Sequence, residues 1–187
     1  MKLLIPKFWP DCSAFSNLPF FFIAGPVIGG GDWQIRMCWA INGLMNRGEF
    51  VAAIPCRWKP NHTLSPYFMR GDMFDGRQTI WERILIQRAI KEALHGCALI
   101  YFAKQVELRP AEFGAYARDS FGEVAELRGR MMHDPTLRVV VGADPEFDPN
   151  AISVMKCNFE DALGYDFPIY TSIADTAKAA VATATAA

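Results

Sequence analysis

Four short apolar runs constrain this chain most: FFFIAG (20–25), FVAAIPC (50–56), CALIYFA (97–103) and LRVVVGA (137–143). Each is short and nearly free of polar residues, as expected of a strand covered on both faces. Helix-period segments lie between them. Strands that alternate with helices build an α/β fold around a parallel sheet. FPIYTS (167–172) adds a short fifth strand, and a closing helix starts at about Ile173. With 187 residues and no internal repeat or dividing linker, the chain reads as one α/β domain, residues 1–187. Residues 1–18 are expected to be an N-terminal extension, and the Ala/Thr-rich end, with a single charge, to extend the final helix and then fray over about 180–187.

Local signals place the helices. Asp32 is the expected N-cap of a helix over 32–48, with Ile35, Cys38, Trp39, Ile41 and Leu44 or Met45 as its apolar stripe and Gly48 as its end. Thr79 and Glu82 match the capping-box spacing of a second helix, which Gly96 would stop. Ser120 and Glu123 repeat that spacing in YARDSFGEVAELRGR, residues 116–130. The segment after Pro55 holds about two dozen residues without periodicity, the length expected of a lid or binding loop.

Composition excludes several classes of function. The chain has 19 basic and 20 acidic side chains, a net charge of −1, so no global field draws nucleic acid or anionic membrane. Five cysteines, at 12, 38, 56, 97 and 157, form no C-x-x-C pair. That count and spacing suit a reducing cytoplasm better than a disulfide framework or a zinc site. His62, His95 and His133 have no metal-ligand spacing, and no metal or other cofactor is expected. No apolar stretch has the length of a membrane span, and the N-terminus lacks an export signal, so no membrane partner is expected.

In open parallel sheets, ligands bind beyond the carboxyl ends of the strands. The loops gathered there are GPVIGGGDW, the segment after Pro55, KQVELRPAEFGAYARDS and DPEFDPN. The glycine-rich turn lets backbone N–H groups approach an anion or a sugar hydroxyl, yet it is neither G-x-G-x-x-G nor a phosphate loop. Glu123 falls in the first turn of its expected helix, where the positive backbone end would keep a carboxylate ionised and nucleophilic. Glu126 lies one turn on and shares its face. Asp119 adds a third acid.

The ordered set FFIAGPVIGGGDWQ, IWERILIQRAI, ALIYFAKQ and YARDSFGEVAELRGR resembles the nucleoside 2-deoxyribosyltransferase-like family of the nucleoside and nucleotide N-glycosidase superfamily. The likeness runs from about Phe20 to the last helix. It is most specific over 116–130, which looks like the family's Y-A-R-D-T-x-G-E-L-G-E-W-R-G block. It implies a flavodoxin-like, Rossmann-type three-layer sandwich with a mostly parallel sheet of about five strands. It also implies chemistry at the N-glycosidic bond: a glutamate, by position Glu123, attacks C1′ of the sugar, and a base or water resolves the glycosyl-enzyme. Asp119 and Tyr116 would assist. Gly25, Pro26, Gly29, Gly30, Gly31, Asp32 and Trp33 would border the sugar, with Ser120 and Glu126 also at the substrate. The implied partners are a nucleoside or nucleotide and a free base, with no nucleic-acid polymer, and a second copy of the chain in a homo-oligomer.

Three positions depart from that block: Ser120 for threonine, Ala125 for glycine and Leu127 for tryptophan. An aspartate expected beside the third strand is missing from HGCALIYFAKQVE, with Gln105 or Glu107 as substitutes. Two alternatives stand beside nucleoside transfer. One is an N-glycosidase of nucleoside 5′-monophosphates, whose phosphate would need cations such as Arg57, Lys59 or Arg70. The other is a non-catalytic nucleotide-binding protein.

Overall fold

The computed structural model describes residues 1–6, 17–45, 49–55, 65–69 and 77–186. Among them a six-stranded, wholly parallel sheet runs in the order β1-β3-β2-β4-β5-β6. The strands are β1 (Lys2–Leu4), β2 (Phe20–Ala24), β3 (Val51–Ala53), β4 (Gly96–Phe102), β5 (Val139–Ala143) and β6 (Ile169–Tyr170). The helices are α1 (Trp33–Leu44), α2 (Gln78–Gln87), α3 (Arg118–His133), α4 (Pro149–Leu163) and α5 (Ile173–Thr185). This is the expected α/β architecture of Rossmann or flavodoxin type, with one strand more than the apolar runs indicate.

Strand side chains alternate between two cores. Phe20, Phe22, Ile100, Phe102 and Val141 pack under α2, α3 and α4. Phe21, Ile23, Leu99, Tyr101 and Val140 pack under α1 and α5. Both faces are covered, which explains why these strands carry no polar alternation. The chain leaves β2 for β3 on one side and later returns to place β4 on the other. The sheet therefore reverses its winding between β2 and β4, and a crevice opens at their carboxyl ends.

Several local expectations need correction. The supposed N-terminal extension contributes β1, whose Lys2–Leu4 pairs with Val51–Ala53; three residues are too short a run to register as a strand. The Ala/Thr-rich end does extend the final helix, and further than expected, to Thr185. Its small side chains are the reason: Ala177, Ala180 and Ala184 are fully buried, and α5 lies so close to β5 that a Cβ on Gly142 would sit 2.1 Å from Thr176 Oγ1. The DPEFDPN loop is shorter than expected, because Asp148 caps α4 through Asn150 N and Ala151 N, with Pro149 in the first turn.

Neither capping box forms. Helix α2 starts at Gln78 behind Arg77, and α3 starts at Arg118 behind Ala117, so Thr79 and Ser120 both lie inside helices. Asp32 does precede α1 but makes no side-chain cap bond. On α1 the buried residues include Trp33, Met37, Cys38 and Ile41, while Trp39 and Leu44 of the expected stripe are exposed. Gly96 opens β4 rather than ending a helix; α2 passes into a wider π turn, Arg88–Glu92, that ends at Ala93. Arg138 donates to the carbonyls of Ala93 and Leu94 beyond that end. Gly48 and most of the segment after Pro55, including Arg57, Lys59 and Arg70, lie outside the described residues.

Candidate active site

A cavity of about 610 Å³ lies at the carboxyl edge of the sheet, in the crevice the strand order creates. Three loop segments and two helices build it. Gly25 to Ile28 follow β2, Pro55 follows β3, and Arg109 belongs to the loop after β4. Ala117 stands just ahead of helix α3, which presents Arg118, Asp119, Ser120, Gly122, Glu123 and Glu126, and α2 presents Gln78, Thr79, Glu82, Arg83 and Ile86. Both helices begin here because each follows a parallel strand whose carboxyl end is on this edge.

The turn after β2 is shaped by close packing. Gly25 has φ +150°, and a Cβ there would meet Tyr101 O at 2.2 Å and the Trp33 ring at 2.8 Å. A larger residue would push the turn off the sheet. Trp33 is buried and donates Nε1–H to Pro26 O at 2.7 Å, so it holds the turn from behind rather than walling the cavity. At the start of α3, Ala117 is buried and left-handed (φ 60°), an uncommon conformation for a residue with a Cβ. Local strain of this kind tends to collect at functional sites.

Of the twelve residues expected at the site, Gly25, Pro26, Asp119, Ser120, Glu123 and Glu126 line the cavity. Gly29, Gly30, Gly31, Asp32, Trp33 and Tyr116 are not among its lining residues. Gly29 O instead accepts from Val106 N and Glu107 N, pinning the glycine turn to the loop after β4. Tyr116 donates its hydroxyl to Ala103 O at 2.8 Å, with Lys104 O at 3.2 Å. Burial pushes its phenol up to about 12. It braces the β4 end and is not the phenol partner foreseen for Glu123. Gln105 bonds to Glu107 O, and neither residue reaches the cavity. The DPEFDPN segment does not contribute either.

Helix α2 and Arg109 were the residues missed. The T-x-x-E spacing of Thr79 and Glu82 reads as a helix cap and so hides Glu82 as a site residue. With Thr79 inside the helix, Glu82 turns to the cavity and accepts from Gln78 Nε2 at 2.7 Å. Arg109 lay within an expected site loop, but nothing in its neighbours' spacing marked it. Its side chain is 10% exposed, with Nη1 donating to Ala115 O and Nη2 3.8 Å from Asp119 Oδ2. Its buried Nε has no hydrogen-bond partner among the described residues.

The electrostatics also differ from expectation. Burial pushes the Glu123 carboxyl up to about 8, and the charges of Glu82, Asp119 and Glu126 push it further the same way. Glu82 is likewise raised by burial, opposed by the Gln78 amide and reinforced by Asp119. Helix α3 starts at Arg118, so Glu123 lies in the second turn, where the positive helix end has little hold. Asp119 and Glu126 differ from this pair. Asp119 is largely in solvent and engaged by Arg118 at 3.1 Å, and Glu126 is engaged by Arg130 on its own helix. A strongly raised carboxyl group in a cleft, as on Glu123, is a mark of functional sites.

Among the described residues no group of three His, Cys, Asp or Glu side chains is arranged to hold a metal ion, and no helix is long and apolar enough to cross a membrane. Comparison of the chain with protein-family profiles, curated proteins and solved structures found no match.

Proposed function

We propose that the protein cleaves or transfers at the N-glycosidic bond of nucleosides, with Glu123 as the nucleophile that takes the sugar. The observation that carries this reading is the convergence of Glu82, Asp119, Glu123 and Glu126 on one cavity at the crevice of the sheet. Burial raises Glu123 and Glu82, and the neighbouring carboxylates raise them further. A sugar that develops positive charge at C1′ turns the repulsion among these carboxylates into attraction. The site then favours the oxocarbenium-like transition state over the ground state. The likeness of residues 116–130 to the deoxyribosyltransferase block supports the same assignment.

In the first half-reaction a Glu123 oxygen forms the bond to C1′ as the bond to the base nitrogen breaks. In the second, a new base or water attacks C1′ and frees the carboxylate. The test is to incubate the protein with a panel of ribo- and deoxyribonucleosides, with and without an acceptor base, and to identify products by chromatography. Release or exchange of base that disappears in Glu123→Gln supports the proposal. A Gln variant as active as the parent ends it.

A second reading has its own observation. Arg83, Arg109 and Arg118 line the same cavity, and Arg109 keeps a buried, unpartnered Nε. Cations so placed suit a nucleoside 5′-monophosphate, whose phosphate a guanidinium can hold by two hydrogen bonds. Comparing kcat/KM for thymidine and its 5′-monophosphate, in the parent and in Arg109→Gln, decides between the two substrates.

A further inference from the structure

We propose that Glu82, on helix α2, is the acid that protonates the departing base while Glu123, on helix α3, attacks the sugar. This rests on the glycosyl-transfer reading above. Both carboxyl groups line one cavity, from two different helices that start at the same sheet edge. The other cavity acids are engaged elsewhere: Asp119 faces Arg118 and Arg109, and Glu126 faces Arg130. Among the described residues, Glu82 has only the neutral Gln78 amide hydrogen-bonded to it, at 2.7 Å. The segment around β4 supplies no aspartate for this work, and Gln105 and Glu107 do not reach the cavity.

Glu82 and Glu123 are half-buried carboxyl groups on one cavity, and burial together with neighbouring carboxylates makes each hold its proton more tightly than a free carboxyl does. Among the described residues, the other charged groups facing them are Arg83 on α2, Arg118, Asp119 and Glu126 on α3, and Arg109 on the loop before α3. One proton on the pair is the state a double displacement requires: one carboxylate to attack and one acid to donate. In the first step a Glu123 lone pair forms the C1′–O bond. The electron pair of the C1′–N bond leaves with the base, and the Glu82 proton moves to that base. In the second step the incoming base or water gives its proton to the Glu82 carboxylate as it displaces Glu123. Both side chains end as they began.

Glu82→Gln keeps the Gln78 contact possible and removes the acid. The expected result is a fall in kcat/KM of about 10²–10⁴ on ordinary nucleosides. On an N7-methylated purine nucleoside, whose cationic base leaves without a proton, the loss should be less than tenfold. The parent's kcat/KM should fall on the alkaline side as the acid is lost, and that falling limb should vanish in Glu82→Gln. Equal losses on both substrates, or an unchanged pH profile, overturn the assignment while leaving Glu123 as nucleophile. A fully active Glu123→Gln instead removes the glycosyl-transfer reading itself. A readout independent of turnover is the carbon-13 titration of the Glu123 carboxyl. Its midpoint should drop in Glu82→Gln, and an unmoved midpoint overturns the pairing.

Discussion

The two faces of the sheet solve different problems. Beneath α1 and α5 the packing is tight and built of carbon: Phe21, Ile23, Met37 and Ile41 are fully buried, and three alanines let α5 settle onto the strands. Beneath α2 and α3 the inner part is equally apolar, with Trp81, Phe102 and Leu127. The end of that layer nearest the carboxyl edge opens into a cavity with raised carboxyl groups and a left-handed alanine. One face maximises contact. The other forgoes stability at one edge, which is what a site that must favour a charged transition state demands.

The largest expected effect is on the open face. Glu123→Gln should lower nucleoside turnover at least about a thousandfold with the fold retained, read by product formation and circular dichroism. On the closed face, Gly142→Val places a Cβ within 2.1 Å of Thr176 Oγ1. It should cost about 3 kcal/mol, read by chemical denaturation, with no direct effect on the cavity residues.

The carboxyl pair gives a pH signature that the closed face lacks. With Glu123 raised from 4.5 to about 8, the folded protein holds that proton more tightly than the unfolded chain does. Its contribution to stability is therefore greatest below about pH 4.5, declines as pH rises to about 8, and stays low beyond. Glu123→Gln should remove this slope, leaving the variant more stable than the parent at pH 9 by up to about 5 kcal/mol and little changed at pH 5. Denaturation curves at the two pH values check it. Ala117→Gly should relieve left-handed strain and add about 1 kcal/mol of stability. Glu126→Gln breaks only a solvent-facing pair with Arg130 and should change stability by no more than about 0.5 kcal/mol.

The same contrast explains how far the sequence could be read. The strands at 20–24, 96–102 and 139–143 were legible because burial on two faces leaves an unbroken apolar run. Helix α4 and strand β1 were not, one behind a loop-like Asp-Pro start and the other only three residues long. Glu123 and Asp119 were found because they stand in one contiguous block. Glu82 comes from a segment distant in sequence, and only the placing of α2 and α3 at one sheet edge brings it to the same cavity, while Arg109, in the loop just before α3, carries no spacing signal of its own. The capping boxes failed because S-x-x-E and T-x-x-E fix a spacing, not where the helix starts.

The most direct test is to quench the protein during reaction with a deoxynucleoside, digest it, and weigh the peptide that contains Glu123. A pentosyl mass on that residue, absent from Glu123→Gln, is the predicted result. A peptide of unmodified mass with no base released, or a sugar attached at another residue, contradicts the account.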